Sequence, residues 1–280
     1  MSDNSYVSIQ DRIKELEKRG VNIDLKQGVR KWNNFICSTN FTRICGYAKT
    51  LKAKNKGTVT IEEIKNAYYF DSELSHLISK IVLYIETYLR TQIVDSLCLQ
   101  SMFDNHAKTP HLNCELFYDE KDQKEWWGKV EEEIIQRTRT SDKDDYLTYC
   151  IKEYGTTDKM PIWAIVEFIS LDKMLALLNK IKNKDTYKKL SPILGVDQRQ
   201  VHKWLLCFKD LRNAIFHNTV LRNINIKFPQ GDTPPEDIKN KDKWDDYLNP
   251  ILKVISNADI FPEEVRKIGK EVTELLKHQY

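Results

Sequence analysis

The sequence is poor in the residues that break secondary structure, and its cysteines are scattered rather than closely spaced. Only 9 of its 280 residues are glycine and 8 are proline, which excludes a collagen-like chain and a Pro/Gly-rich disordered one. No Cys-x-x-Cys pair occurs and the histidines show no metal-ligand spacing, so we expect no disulfide scaffold, no metal and no cofactor. We interpret the six cysteines as buried free thiols: Cys37, Cys45, Cys98, Cys114, Cys150 and Cys207.

Long apolar runs and a charge of one sign are also missing. No apolar stretch approaches the length of a membrane span, and the opening MSDNSYVSIQDR lacks the apolar core of a signal peptide. We therefore expect a cytoplasmic protein without a membrane partner. Lys and Arg total 44 against 41 Asp and Glu, so a basic surface for nucleic acid has to be built by folding. No P-loop, GxSxG or Rossmann fingerprint is present.

Helical periodicity dominates what is there, and it predicts an all-α protein. Between Leu74 and Ile93, apolar residues recur at steps of three and four residues over roughly five turns. Asp71 or Ser72 is placed to cap the start of this long helix. Strand signals are poor, because no alternating apolar run is bounded by an Asn-Gly or Asp-Gly turn.

Capping residues mark two further helix starts. Thr60 followed by Glu63 is a capping-box signature that opens a shorter helix, and Asp197 is an N-cap for a helix that runs to Ile215. Further helices are predicted at 8–19, 25–36, 41–53, 121–138, 144–153, 161–181, 243–256 and 262–277, and loops at 101–119, 138–143, 154–160 and 227–242.

An Arg and a His stand five residues apart at the end of the Asp197 helix, in Arg212-Asn213-Ala214-Ile215-Phe216-His217. Arg carries a planar cation that matches a phosphate, and His holds or releases a proton near neutral pH. These are the side chains that a metal-free ribonuclease most needs, although the pattern alone is also typical of a surface Arg and a locally bonded His. Asn213 lies on the same helical face as His217, where it can orient the imidazole or a substrate. Arg212 lies about 140° away, so convergence needs either its long reach or a helix that loosens near His217.

Other segments add to this motif in a fixed order. They are Ile13–Leu16 with Arg19–Ile23, Asn40–Tyr47, Thr60–Ile64 with Tyr69–Asp71, Ile85-Glu86 with Leu89-Arg90, Met160–Trp163 with Glu167, and Leu211–Asn213 with His217. In order and spacing over residues 10–225, the chain resembles the bacterial abortive-infection family of the AbiD/AbiF type, which belongs to the HEPN helical superfamily. It departs from that family at Asn218, where a second His is usual, and at Arg222, where a Trp is usual. Asn218 and Arg222 are both candidates for RNA contact, and Arg222 restores a cation nearby.

The resemblance implies a HEPN-like helical bundle with additional N-terminal and C-terminal helices. Residues 1–58 would be an N-terminal helical subdomain packed on the core, 59–225 the core with the R-x4-H motif, and 226–280 a C-terminal loop and helical extension. It also implies a toxin-like endoribonuclease of phage defence, which cuts RNA without metal in a composite site of a homodimer. Its regulator would be antitoxin-like, with a structured non-coding RNA as one candidate. A non-catalytic RNA-binding or assembly module, and a protein-interaction bundle, are the alternatives.

Four other side chains are candidates for supporting roles. Glu86 and Arg90 stand four residues apart, which suits an ion pair that stabilises the helix. By analogy with the family, Glu86 can instead hold Arg212 in place. Arg43 and Tyr47 are candidates for RNA contact through charge and stacking, with packing as the alternative for Tyr47. Three tryptophans are interpreted as core or interface residues: Trp126, Trp127 and Trp163.

Overall fold

The computed structural model describes residues 8–23, 29–55, 57–103, 105–140, 145–217, 248–257 and 261–277. Within these stretches the chain forms twelve α-helices and one pair of two-residue strands, so the predicted all-α fold is confirmed. The helices are α1 (Ile9–Lys18), α2 (Val29–Ser38), α3 (Phe41–Asn55), α4 (Ile61–Gln100), α5 (Glu120–Thr140), α6 (Asp145–Tyr154), α7 (Ile162–Phe168), α8 (Leu171–Lys180), α9 (Asp185–Leu194), α10 (Gln198–Phe216), α11 (Leu248–Asn257) and α12 (Glu263–Lys277). Short 3-10 turns at Pro110–Leu112, Cys114–Leu116 and Thr157–Lys159 lie in the predicted loops.

The first three helices build a small core of their own. The buried apolar side chains between Ile13 and Ala67 form one cluster, which is separate from the main core. Two strands close it: β1 (Val21–Asn22) pairs in parallel with β2 (Val59–Thr60). The sequence did not predict this pairing, because a two-residue strand is too short to show alternation.

The helix α4 is forty residues long and contributes to both cores. It begins at the predicted capping box. The Thr60 hydroxyl accepts from the Glu63 backbone N–H at 3.2 Å, and the Glu63 carboxylate accepts from the Thr60 N–H at 2.7 Å. The predicted second start at Asp71 or Ser72 is wrong, because Asp71 lies inside the helix and is buried. Its carboxylate accepts from the Tyr47 hydroxyl at 2.8 Å instead of capping a helix.

Two other boundaries differ from the prediction. The predicted helix 161–181 is two helices, α7 and α8, which are separated by extended backbone at Ile169 and Ser170. The Ile169 carbonyl accepts from the Arg90 guanidinium at 3.0 Å, so a side chain of α4 satisfies it in place of a helical N–H. The helix α9 was not predicted. It ends at Gly195, whose φ of 65° is the left-handed conformation that glycine adopts at low cost.

The two C-terminal helices belong to the main core. The helix α12 packs along α4, and α11 packs against α9 and α12. Their apolar side chains join the cluster that extends from Leu74 to Val272. The rings of Phe261 and Tyr88 meet edge-on, with centroids 5.7 Å apart. Residues 248–257 and 261–277 are therefore structural parts of the bundle, while the predicted loop 227–242 lies outside the described residues.

The cysteines follow the prediction only in part. None of the six forms a disulfide bond, but only Cys150 and Cys207 are buried. Cys37 and Cys114 are exposed, because they lie at the end of α2 and in a short 3-10 turn rather than on an apolar helix face. Among the described stretches, no helix combines the length and the apolar character that crossing a membrane requires.

Candidate functional site

The helix α10 carries Arg212 and Asn213 in its last turns and ends just before His217. It starts at the predicted N-cap, because the Asp197 carboxylate accepts a backbone N–H two residues later at 2.8 Å. Six side chains of one helix face belong to the main core: Val201, Trp204, Leu205, Phe208, Leu211 and Ile215. The helix is regular up to Phe216, and the His217 N–H still reaches the Asn213 carbonyl at 2.9 Å. Because the helix does not loosen, only the length of the Arg212 side chain could bring its guanidinium close to the His217 imidazole.

Among the described residues, three contacts hold Arg212 and leave part of its guanidinium without a partner. Its Nε donates to Glu86 Oε2 at 3.0 Å, and its Nη1 donates to Asn213 Oδ1 at 3.2 Å. The guanidinium carbon lies 5.0 Å from the centroid of the Phe216 ring, which is a cation–π contact. The remaining N–H groups meet no acceptor among the residues that the structure describes. They can hold a ligand with several acceptor atoms, and a phosphate is the ligand that suits this geometry.

Glu86 is the buried centre of the network. Its side chain is only 9% exposed, and its second oxygen, Oε1, accepts from Arg90 Nη2 at 2.7 Å and from Arg90 Nε at 3.2 Å. Burial acts to raise the pKa of Glu86, but the hydrogen bonds from Arg90 and Arg212 outweigh it and leave the pKa below its usual value. Glu86 is therefore ionised at neutral pH. Among the described residues, Arg90 and Arg212 share this one anion, so that part of the cluster carries a net positive charge.

Arg90 extends the network to α7. Its Nη1 donates to the carbonyls of Val166 and Ile169, the second at 3.0 Å. Carbonyls at a helix C-terminus lack a partner within the helix, and the helix dipole favours a cation there. Arg90 thus joins α4 to α7, while Glu86 joins α4 to α10. Both contacts considered for Glu86, the ion pair with Arg90 and the hold on Arg212, are present.

His217 is exposed, and no described residue hydrogen-bonds its imidazole. Asn213 does not orient it, because the Asn213 amide oxygen accepts from Arg212. The physical reason is that helical side chains lean toward the N-terminus, away from a residue beyond the helix end. In this structure Asn213 therefore orients the guanidinium, and among the described residues nothing occupies the hydrogen-bonding positions of the imidazole.

Arg43 and Tyr47 lie in the small N-terminal core. Tyr47 is fully buried and donates to Asp71 at 2.8 Å, and burial together with the nearby carboxylate raises its pKa. The Arg43 guanidinium lies 5.2 Å from the centroid of the Tyr68 ring. Asp71 precedes Glu86 by fifteen residues on α4, which is about 22 Å. Packing is therefore the role that fits Tyr47, whose ring has no surface to offer to a base.

The remaining predicted residues fall into three groups: packed, exposed, and outside the described residues. Trp126 is buried and donates to a backbone carbonyl of α8 at 2.8 Å, and Trp127 packs half-buried on the main core. Trp163, in contrast, is exposed on α7. Asn218 and Arg222 lie outside the described residues, so their RNA contacts stay predictions.

Sequence reasoning missed the Phe216 ring beside Arg212 and the two carbonyls that bind Arg90. Phe216 stands four residues after Arg212, so helical spacing was a usable signal for that contact. Backbone carbonyls carry no signal in a sequence. Within the described part of the chain, no three His, Cys, Asp or Glu side chains are grouped as a metal site would require.

Comparison with known proteins adds one finding. A family model described as Abi-like protein matches residues 34–223, which is more than half of the chain. The matched stretch contains the whole network from Glu86 to His217. Neither a curated protein nor a solved structure matches the chain.

Proposed function

The chain belongs to the Abi-like protein family, which supports a role in abortive infection, and we propose that it fills this role as an endoribonuclease that cuts RNA. The observation that carries the proposal is the state of Arg212. A buried carboxylate fixes one edge of its guanidinium, while its remaining N–H groups meet no acceptor among the described residues. His217 follows five residues later, just beyond the end of the same helix, and is exposed. A fixed cation suits the stabilisation of a phosphate whose charge increases during reaction, and an exposed imidazole five residues further on is a group that can transfer a proton.

RNA supplies its own nucleophile, the 2′-OH. Its oxygen forms a bond to the neighbouring phosphorus, and the bond from phosphorus to the 5′-oxygen breaks. The 2′-OH proton goes to a base, and the departing 5′-oxygen takes a proton from an acid. We assign the stabilising charge to Arg212 and a proton transfer to His217. The products are a 2′,3′-cyclic phosphate and a 5′-OH end, and no metal ion takes part.

One His cannot serve as base and acid in the same step, so we propose that a second copy completes the site. Exposed apolar side chains flank the network: Phe216 beside Arg212, and Leu83 one turn before Glu86 on α4. Leu83→Lys should give a monomer in light scattering and abolish cleavage. Leu99→Lys alters an equally exposed leucine of the same helix and should change neither. A wild-type monomer that cuts RNA would contradict this part of the proposal.

A ribonuclease of this kind has to be restrained in uninfected cells. We propose an antitoxin-like regulator, with a structured non-coding RNA as the candidate. An RNA that binds through its phosphates loses affinity steeply as salt concentration rises. RNA that copurifies with the protein should therefore be released at high salt. An affinity that stays flat across the salt range would rule out this mode of regulation.

Induced expression of the wild type and three variants tests the nuclease itself. The wild type should arrest growth and create new 5′-OH ends in total RNA, and both effects should disappear in Arg212→Ala and in His217→Ala. Arg199→Ala removes an Arg from the first turn of the same helix and should behave as the wild type does. Growth arrest with new RNA ends in the His217→Ala strain would overturn the proposal.

A non-catalytic RNA-binding module is the second candidate function. It is favoured by one observation, namely that no described residue holds or activates the His217 imidazole. Under this alternative the wild type binds RNA but creates no new ends, and Arg212→Ala weakens binding. The two functions therefore differ in a single readout, which is the appearance of new RNA ends.

A further inference from the structure

The outer face of α7 carries an exposed Trp and an exposed carboxylate. Trp163 is 45% exposed, and Glu167 follows it by four residues, so both lie on the same side of the helix. No described residue hydrogen-bonds the Trp163 indole or pairs with the Glu167 carboxylate. The opposite face of α7 is buried, with Ile165 and Phe168 in the main core. Trp163 and Glu167 are therefore exposed on a helix whose other face is packed in the main core.

Two tyrosines of α6 lie beside this face. Tyr146 and Tyr149 are 51% and 58% exposed, and their rings stack with centroids 6.5 Å apart and an angle of 15° between the planes. The Tyr146 ring contacts that of Phe168, at 5.5 Å between centroids. The pKa of Tyr146 is raised by partial burial and then by its neighbours, which include the Glu167 carboxylate. Because Phe168 directly follows Glu167 in the chain, the contact between the Tyr146 and Phe168 rings places Tyr146 next to the end of α7 that carries Glu167. We call Tyr146, Tyr149, Trp163 and Glu167 together the aromatic face.

The aromatic face is anchored to the candidate site by direct contacts. Arg90 donates to the carbonyls of Val166 and Ile169, which flank Glu167 and Phe168 in the chain. The same guanidinium holds Glu86, which in turn holds Arg212. The face is therefore fixed to the phosphate-binding cation through a single chain of hydrogen bonds.

We propose that the aromatic face binds an unpaired nucleobase of the RNA whose phosphate lies at Arg212, and that it prefers guanine. This inference rests on the proposed function, because it assigns a specificity to the same RNA. Aromatic rings stack on bases of single-stranded RNA. An ionised carboxylate only accepts hydrogen bonds. Guanine places two N–H donors side by side on its Watson–Crick edge, and these match the two oxygens of Glu167.

The chemistry of the face favours RNA over a protein partner. Its large exposed side chains are all aromatic, whereas the end of α4 exposes the aliphatic Leu99 and Met102. Stacking uses flat rings, while a dry protein contact also uses aliphatic side chains. The Glu167 carboxylate repels phosphates. In the proposed arrangement the RNA phosphate therefore lies at Arg212, away from Glu167, and one base points toward α7.

The test measures binding in a protein that cannot cut. His217→Ala is combined in turn with Trp163→Ala, with Tyr146→Ala plus Tyr149→Ala, and with Glu167→Gln. Fluorescence anisotropy follows labelled uridine oligomers that carry one guanosine, one inosine or one abasic site. Loss of stacking should weaken binding of the guanosine oligomer by about five- to a hundredfold. Glu167→Gln should remove the preference for guanosine over inosine. Phe103→Ala, which removes an almost fully exposed ring elsewhere, should change nothing.

The outcomes separate this inference from the nuclease. Variants of the aromatic face that bind all three oligomers as the His217→Ala parent does would overturn it, whether or not the wild type cuts RNA. Wild type that fails to cut, combined with binding that depends on Trp163 and Glu167, would sink the nuclease and support the base site. A change of mass in light scattering with unchanged RNA binding would show that the face docks a protein, and would also overturn the inference. Circular dichroism of each variant checks the fold.

Discussion

Replacement of Glu86 tests the network at its centre. Glu86→Ala removes the one anion that Arg90 and Arg212 share. The Arg90 side chain is only 14% exposed, and loss of one partner from a buried ion pair costs about 3–5 kcal/mol. Because Arg90 keeps the carbonyls of Val166 and Ile169 as acceptors, we expect the lower end. The free energy of unfolding should fall by about 3 kcal/mol.

Glu86→Gln separates the charge of this side chain from its shape. It keeps one acceptor and loses the ionic contribution, so we expect a loss of about 2 kcal/mol. The pKa of Glu86 is lower in the folded protein than its usual 4.5. Its ionised form therefore stabilises the fold above pH 4.5, and this contribution is lost as the pH falls through the folded value. The difference between wild type and Glu86→Gln should be largest at neutral pH and should narrow in acid.

Urea unfolding followed by circular dichroism measures both effects. Glu120→Gln is the control, since it breaks an exposed pair with Lys124 at the same spacing of four residues and should leave the midpoint unchanged. Unfolding curves of Glu86→Ala that overlay those of the wild type would refute the reasoning. A pH-independent gap between wild type and Glu86→Gln would refute its electrostatic part.

Three further predictions concern stability. Tyr47→Phe removes a hydrogen bond to a buried carboxylate and should cost about 2 kcal/mol in urea unfolding; an unchanged midpoint would contradict this. Gly20 has a φ of 71°, so Gly20→Ala should lower the free energy of unfolding by about 1–2 kcal/mol. Gly128 lies in open space within α5, so Gly128→Ala should raise it by about 1 kcal/mol. Equal unfolding midpoints for the two variants would contradict this prediction. Burial lowers the pKa of His111 to about 3 from 6.5, so the unfolded state binds a proton that the folded state excludes. Between pH 6.5 and pH 5, wild type should lose about 2 kcal/mol relative to His111→Phe, and parallel pH profiles would exclude this origin.

Local signals predicted the helices where local contacts form them. The capping box at Thr60 and the N-cap at Asp197 act within three residues, so the sequence contains the whole interaction. Local signals failed where a distant side chain decides the outcome. Asp71 has the chemistry of a cap but binds Tyr47 instead. At Ile169 the backbone is extended instead of helical, and its carbonyl accepts a hydrogen bond from Arg90.

The site shows the same division. Arg212 and Glu86 are 126 residues apart in the chain, and only the likeness to a family suggested that they meet. Phe216 was visible through its spacing from Arg212. The Arg90 contacts with two carbonyls were not predictable, because every residue carries the same backbone carbonyl. Asn213 was correctly placed on the same face as His217 for an ideal helix. Because α10 ends before His217, the Asn213 amide oxygen accepts a hydrogen bond from Arg212 instead.

The most direct test of the central proposal uses purified protein and end-labelled RNA in excess chelator. We predict cleavage by the wild type with 2′,3′-cyclic phosphate and 5′-OH ends. Cleavage should be absent in Arg212→Ala and His217→Ala, and absent for RNA whose 2′-hydroxyls are methylated. Cleavage that needs an added divalent metal ion, or that persists on the methylated RNA, would contradict the proposed reaction.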